Sequence, residues 1–192
     1  DERYARGGGT EFDYNITLSD SLVAAGAQLT VSGALLTAGE TMILDAGAET
    51  DGSLRLFGGA ARDTLKGGAG ADLIHGNLGG DLLWGGGGAD MFRYDKLAES
   101  SNATADQIFD FTPGTDKIDL SRIDANSLVE GNQAFTWVPY SQSGMAGTLS
   151  AHAFSGGAWL IEGHTDSDGM IDLLILVVPQ GPTPIGAGDF LL

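Results

Sequence analysis

The sequence contains no cysteine. That excludes disulfides, thiolate nucleophiles and Cys-ligated zinc together, so any bound metal must be held by oxygen. Basic residues are scarce too, 9 against 26 acidic, for a net charge of -17. Nucleic acid, an anionic membrane or any other polyanion would meet a repulsive surface, and a cation is the natural complement. Long apolar runs are missing: the longest, Leu173 to Val178, falls far short of the ~20 residues that cross a bilayer. The start, Asp1-Glu2-Arg3, has no signal-peptide pattern and no initiator Met, so further upstream sequence is expected. Neither a Gly-x-Ser-x-Gly elbow nor a phosphate-cradling Gly-Lys-Ser/Thr loop occurs, so no catalytic centre is expected in a chain long enough for one ordinary domain or two small ones.

Glycine, by contrast, is abundant, with 31 residues. From Gly58 the chain reads as four nonapeptides, GGAARDTLK, GGAGADLIH, GNLGGDLLW and GGGGADMFR. Each has Asp at its sixth place and an apolar residue, Leu65, Ile74, Leu83 or Phe92, at its eighth. A flexible linker has no reason to keep that register, whereas a stacked parallel coil does. Two places slip: Ala61 stands for the fourth-place Gly and Asn77 for a second-place Gly. Asn tolerates left-handed backbone, so Ala61 is expected to be the more damaging.

Residues 12 to 57 alternate apolar and polar in short runs such as Ile16-Thr17-Leu18, Leu29-Thr30-Val31 and Met42-Ile43-Leu44, broken at Gly, which predicts strands. Glu49 to Phe57 keeps the repeat length but has Leu54 in place of Asp, and is expected to be a metal-free coil capping the stack. After Arg93 the period ends and strand-like runs continue at Gln107 to Phe111, Lys117 to Leu120, Ala134 to Val138, Ala158 to Glu162 and Ile171 to Val178. The expected fold is all-β. An N-terminal strand extension (1–57) leads into a parallel β-roll (58–93), followed by a β-sandwich or roll extension (94–178) and a tail (179–192). Pro179, Pro182 and Pro184 are expected to loosen Ile185 to Leu192 from the body.

In such a roll one winding takes two nonapeptides. Turns Gly58–Asp63 and Gly76–Asp81 then stack on one edge, and Gly67–Asp72 and Gly85–Asp90 on the other. Stacked strands lie ~4.8 Å apart, and Ca²⁺ takes six to eight oxygens at ~2.3–2.6 Å. An ion between windings can therefore reach a carboxylate above, one below and the turn carbonyls of both. Without it, each of the pairs Asp63/Asp81 and Asp72/Asp90 suffers roughly 3 kcal/mol of repulsion at an effective dielectric of about 20. Folding is thus expected to be coupled to at least two Ca²⁺ ions. The seventh-place Leu73, Leu82 and Met91 face outward although apolar, which predicts that the strands after Arg93 cover them. The ninth-place Lys66, His75, Trp84 and Arg93 also face out, toward the same seam or, alternatively, as a docking or sugar-binding face.

The nonapeptides resemble the RTX, or hemolysin-type, repeat. The stretch GGGGADMFRYDKLAESSNATADQIFDFTPGTDKIDLSRIDA, Gly85 to Ala125, resembles the C-terminal domain of serralysin-type secreted metalloproteases. It is also similar to the R-modules of alginate epimerases, so it marks the module and not the attached enzyme. The resemblance implies calcium ligation by Asp63, Asp72, Asp81 and Asp90 and by turn residues of the Gly-rich tracts. Those turn residues are Gly58, Gly59 and Ala61, then Gly67, Gly68 and Gly70, then Gly76, Asn77 and Gly79, and finally Gly85, Gly86 and Gly88. Asp110 and Asp116 are candidates for a further site, with a strand-end turn as the other reading. Serralysins end in an acidic residue followed by apolar ones, and Asp189-Phe190-Leu191-Leu192 fits that export signal, read by a type I secretion ABC transporter. The implied location is extracellular, after type I export from a Gram-negative bacterium. A polysaccharide is a further candidate partner, by way of the R-module likeness. The family's His-Glu-x-x-His helix is absent, and the histidines are His75, His152 and His164, the last two expected on the surface or in a hairpin. Asp166 to Asp172 partly resembles a calcium loop, but its Asp-Gly favours a hairpin turn.

Overall fold

The computed structural model describes residues 13–192. Its strands run β1 (Tyr14–Thr17), β2 (Gln28–Ser32), β3 (Met42–Asp45), β4 (Ser53–Phe57), β5 (Thr64–Lys66), β6 (Leu73–His75), β7 (Leu82–Trp84) and β8 (Met91–Arg93). They continue as β9 (Asp106–Phe111), β10 (Lys117–Asp119), β11 (Thr136–Trp137), β12 (Thr148–Ala153), β13 (Trp159–His164), β14 (Leu173–Pro179) and β15 (Phe190–Leu191). Two sheets hold them, ordered β1-β3-β5-β7-β9-β14-β13-β12-β11 and β15-β10-β8-β6-β4-β2. From β1 to β10 the chain alternates between the sheets, so each winding adds one parallel strand to both.

The core follows from period-two alternation. Ile16, Leu44, Leu65, Leu83 and Ile108 lie side by side across the first sheet. Val31, Leu56, Ile74, Phe92, Ile118 and Phe190 do so across the second. Leu44, Leu56, Leu65, Ile74, Leu83, Phe92, Ile108 and Ile118 are buried, each contributing about 2 kcal/mol of apolar burial.

The roll is longer than the nonapeptides alone. Glu49 to Phe57 does not cap it, because β4 pairs with β6 on one side and β2 on the other. After Arg93, β9 and β10 complete a further winding. β14 then joins β9 in parallel, and β13 and β12 extend that sheet antiparallel. Ser100 pins this junction, donating to the Leu174 carbonyl (2.5 Å) while accepting from the Asp106 N–H (2.9 Å). The later strands therefore lengthen the sheets edge to edge. They do not lie across Leu73, Leu82 and Met91, which stay half-buried beside their in-sheet neighbours.

The tail is docked, contrary to the expectation from its prolines. β15 pairs in parallel with β10, Phe190 is buried, and its ring lies 5.1 Å from that of Trp137. Asp189 accepts from the Gly114 and Gly186 N–H groups (2.7 and 2.9 Å), and Lys117 Nζ donates to the Gly188 carbonyl (2.5 Å). Proline ends β14 but does not prevent the chain from returning. The Asp166–Asp172 run is the expected hairpin between β13 and β14, closed by the Thr165 N–H and hydroxyl donating to Asp172 (2.7 and 2.9 Å).

Candidate metal centre

Each repeat aspartate turns back to the winding before it. Asp63 Oδ1 accepts from the Met42 N–H (2.7 Å), Asp81 Oδ1 from Asp63 N–H (2.8 Å) and Asp106 Oδ1 from Asp81 N–H (2.7 Å). On the opposite edge Asp72 accepts from Leu54 N–H (2.7 Å), Asp90 from Asp72 N–H (2.9 Å) and Asp116 from Asp90 N–H (3.0 Å). Two columns result, Asp63-Asp81-Asp106 and Asp72-Asp90-Asp116, all buried. The structure thus brings together the expected pairs and adds Asp106, which the sequence reading missed. Its signal was present: Asp106-Gln107-Ile108 repeats the Asp-x-apolar triplet of each nonapeptide.

The second carboxylate oxygens face the glycine turns. Asp63 Oδ2 accepts from Gly59 N–H (2.5 Å) and Asp72 Oδ2 from Gly68 N–H (2.7 Å), whereas Asp81 Oδ2 and Asp90 Oδ2 are buried without a partner. A Cβ on Gly58 would fall within 3.0 Å of both the Gly76 carbonyl oxygen and Asp63 Oδ2. One on Gly67 would meet the Gly85 carbonyl oxygen and Asp72 Oδ2 in the same way. On Gly76 and Gly85 it would strike Asp81 and Asp90 directly, and on Gly70, Gly79, Gly86 and Gly88 a carbonyl of the neighbouring winding. Glycine keeps these cradles open to oxygen. Asn77 takes the left-handed backbone expected of it (φ 65°), and its amide donates to the Gly58 carbonyl (2.8 Å). Ala61 is buried with φ outside that region, so the slip expected to be damaging introduces no strain.

Acidic groups are concentrated here, and the backbone donors, with Arg62 acting on Asp81 and Lys117 on Asp116, offset their burial only in part. Burial pushes the Asp90 carboxyl up to about 7, with Asp116 and Asp72 adding to the shift. Burial and the facing Asp106 hold Asp81 well above the usual carboxylate range, and burial raises Asp106 itself. Asp63, Asp72, Asp110 and Asp116 are raised chiefly by burial. Among the described residues the Lys and Arg ion pairs are Lys66–Asp45, Arg93–Asp95 and Arg122–Asp95, and none reaches the columns. The donor set is carboxylate and carbonyl oxygen only, which suits a hard divalent cation.

The remaining candidates fall elsewhere. Asp110, with left-handed backbone (φ 55°), accepts from the Gly85 and Gly86 N–H groups (3.0 and 3.1 Å), so it braces the fourth turn. His75, expected to face outward, is buried against Glu99 (Nε2 to Oε2 3.0 Å). Lys66 and Trp84 do share the outer face of the first sheet, with Trp84 stacked on Phe109 (ring centroids 4.4 Å apart). His164 is buried in the hairpin and bonds the Met170 carbonyl through Nδ1, and His152 lies 3.6 Å from Glu162. Asp189, Phe190, Leu191 and Leu192 form or flank the last strand of the second sheet.

A parallel β-roll with acidic columns on both edges of glycine turns defines an RTX-type repeat module. The chain belongs to the family described as Peptidase M10 serralysin C terminal, which matches residues 19–178. It is similar to the solution structure of the AlgE6R2 subunit of Azotobacter vinelandii mannuronan C5-epimerase: 26% identity, 92% of this chain and 91% of that chain covered, TM-score 0.47. The AlgE6R3 subunit of the same organism's epimerase is similar at 19% identity, with 93% of this chain and 78% of that chain covered and a TM-score of 0.49. No curated protein matches the chain.

Proposed function

We propose that this chain is a non-catalytic calcium-binding module that folds on meeting calcium outside the cell and bears the export signal for an attached effector. The observation carrying this reading is the pair of buried carboxylate columns, with the second oxygens of Asp81 and Asp90 unpartnered and, among the described residues, no Lys or Arg ion-paired to the columns. At least two ions would sit between stacked turns, one bounded by Asp63 and Asp81 and one by Asp72 and Asp90, with carbonyls of the Gly-rich turns as further ligands. Asp106 and Asp116 would lengthen the two columns. Extracellular calcium modules bind at about 10⁻⁴–10⁻³ M, so a calcium-poor cytosol would leave the roll open.

Export fits the docked tail. Asp189, Phe190, Leu191 and Leu192, our assigned signal for a type I secretion ABC transporter, are partly consumed by β15 once the roll is closed. The transporter would engage them before folding, and calcium outside would then lock them away. Co-expression with a type I exporter in a Gram-negative host tests this. The full chain should accumulate in the medium, and deletion of 189–192 should reduce it at least tenfold on a denaturing gel. Equal export of both would remove the signal from the proposal.

A second reading, polysaccharide binding, is favoured by one feature: Trp84 stacked on Phe109, with Lys66 Nζ 5.5 Å from the Trp84 ring centroid. Aromatic rings flanked by a cation suit sugar faces. Titration with neutral and uronate oligosaccharides in millimolar calcium should then give saturable binding that Trp84→Ala abolishes. A flat titration sets this reading aside.

A further inference from the structure

The edge that carries Asp72 and Asp90 remains acidic beyond the nonapeptides. Two earlier turns build it, residues 18–27 between β1 and β2 and 46–52 between β3 and β4. They stack as the repeats do. Gly87 N–H donates to the Gly68 carbonyl (2.8 Å), Ala69 N–H to the Glu49 carbonyl (2.8 Å), and Gly26 N–H to the Asp51 carbonyl (2.8 Å). Asp20, Glu49 and Asp51 each present a carboxylate oxygen here, all within 4.8 Å of one another. Two oxygens on opposite sides of a calcium ion at ~2.4 Å are ~4.8 Å apart, so a single ion can touch all three.

Clustered surface acids are common, and Glu49 sets this group apart. It is fully buried, at 0 % exposure. Its Oε1 accepts from the Gly52 and Asp51 N–H groups (2.9 and 3.3 Å), while Oε2 is buried with no partner. Asp20 is held in place by the Thr50 N–H (2.9 Å) and hydroxyl. No Lys or Arg ion pair among the described residues involves any of the three. A buried polar oxygen left without a partner is costly, and Glu49 Oε2 is such an oxygen. Exposed Asp20 and Asp51 leave the outer side open for ion entry and water ligands.

We infer that Asp20, Glu49 and Asp51 form a separate site for a divalent, oxygen-preferring cation, calcium, which fastens the first two windings of the roll. The segment read from sequence as a metal-free coil thus contributes ligands of its own. The site adjoins the Asp72–Asp90 column, since Glu49 and Asp72 lie close enough for their charges to interact, and it rests on the calcium reading above in needing a folded roll.

Native mass spectrometry of the full chain in calcium, with circular dichroism alongside, tests it. Asp20→Asn/Asp51→Asn should bind one ion fewer than wild type while keeping the wild-type spectrum. Both residues are exposed, and Asn retains the acceptor oxygen for Thr50. Glu49→Gln should lose the same ion. Asp90→Asn should lose an ion from the repeats, and combining it with the double substitution should remove both. A double variant that folds and binds the wild-type number of ions overturns the site. If instead Asp90→Asn leaves the count unchanged while the double variant lowers it, the repeat sites fail and this one stands.

Discussion

Stripping calcium from the chain at about pH 8 should abolish most of its β-strand circular dichroism, and calcium should restore it with a midpoint on the order of 10⁻⁴–10⁻³ M. The columns Asp63-Asp81-Asp106 and Asp72-Asp90-Asp116 are buried, and burial first, then repulsion from stacked neighbours, raises the Asp81 and Asp90 carboxyls. The strands between them span three residues each from β5 to β8, too short to hold the windings against that repulsion and the entropy of ordering the turns. Protons can stand in for the ion. Asp90 titrates at about 7 in the fold against 3.8 for the free side chain, so the folded state binds more protons between those values. Its contribution to metal-free stability is therefore complete below about pH 4 and lost as pH rises through about 7. Burial shifts Asp81 and Asp106 the same way. The metal-free chain should accordingly be more folded near pH 5 than near pH 8. Calcium must displace those protons, so the calcium needed for folding should rise as pH falls. An unchanged spectrum after calcium removal at about pH 8 would count decisively against coupled folding.

How much of this is visible in the residues depends on the regularity of the windings. Where sixth-place aspartates recur every 18 residues, Asp63 to Asp81 and Asp72 to Asp90, the strands, inward side chains and edge assignments all follow from the period. Elsewhere the same hydrogen bond closes longer loops, 21 residues from Met42 to Asp63, 25 from Asp81 to Asp106 and 26 from Asp90 to Asp116. The period dissolves there although the triplets persist at Asp106-Gln107-Ile108 and Asp116-Lys117-Ile118. The docking of β15 was beyond reach for another reason. Two residues carry no periodicity, and what holds them is distant: Asp189 on Gly114 and Phe190 beside Ile118. Glu49 is hidden by the same logic, since its importance lies in an unpartnered oxygen and not in any local pattern.

Two adjacent glycines should separate cradle from linker behaviour in one experiment. Gly86 has φ +91°, and a Cβ there would lie under 3.0 Å from the Gly68 carbonyl oxygen of the winding below. That oxygen belongs to the backbone of a stacked turn, held by the Gly87 N–H at 2.8 Å, and cannot swing aside as a side chain would. Gly86→Ala therefore combines left-handed strain of ~1–2 kcal/mol with overpacking of ~1–3 kcal/mol. A loss of about 3 kcal/mol lowers the Tm in saturating calcium by about 10 °C for a domain of this size, and should raise the calcium midpoint. Gly87 has ordinary φ, and its nearest neighbour to an added Cβ is the Ala69 Cα at 3.6 Å, normal van der Waals contact. Gly87→Ala should thus stay within about 0.5 kcal/mol of wild type. Thermal melts of both variants at equal calcium decide the matter. If neither variant falls, the tract is merely flexible; if Gly86→Ala alone falls, close stacking of turn on turn is what this sequence reserves its glycines for.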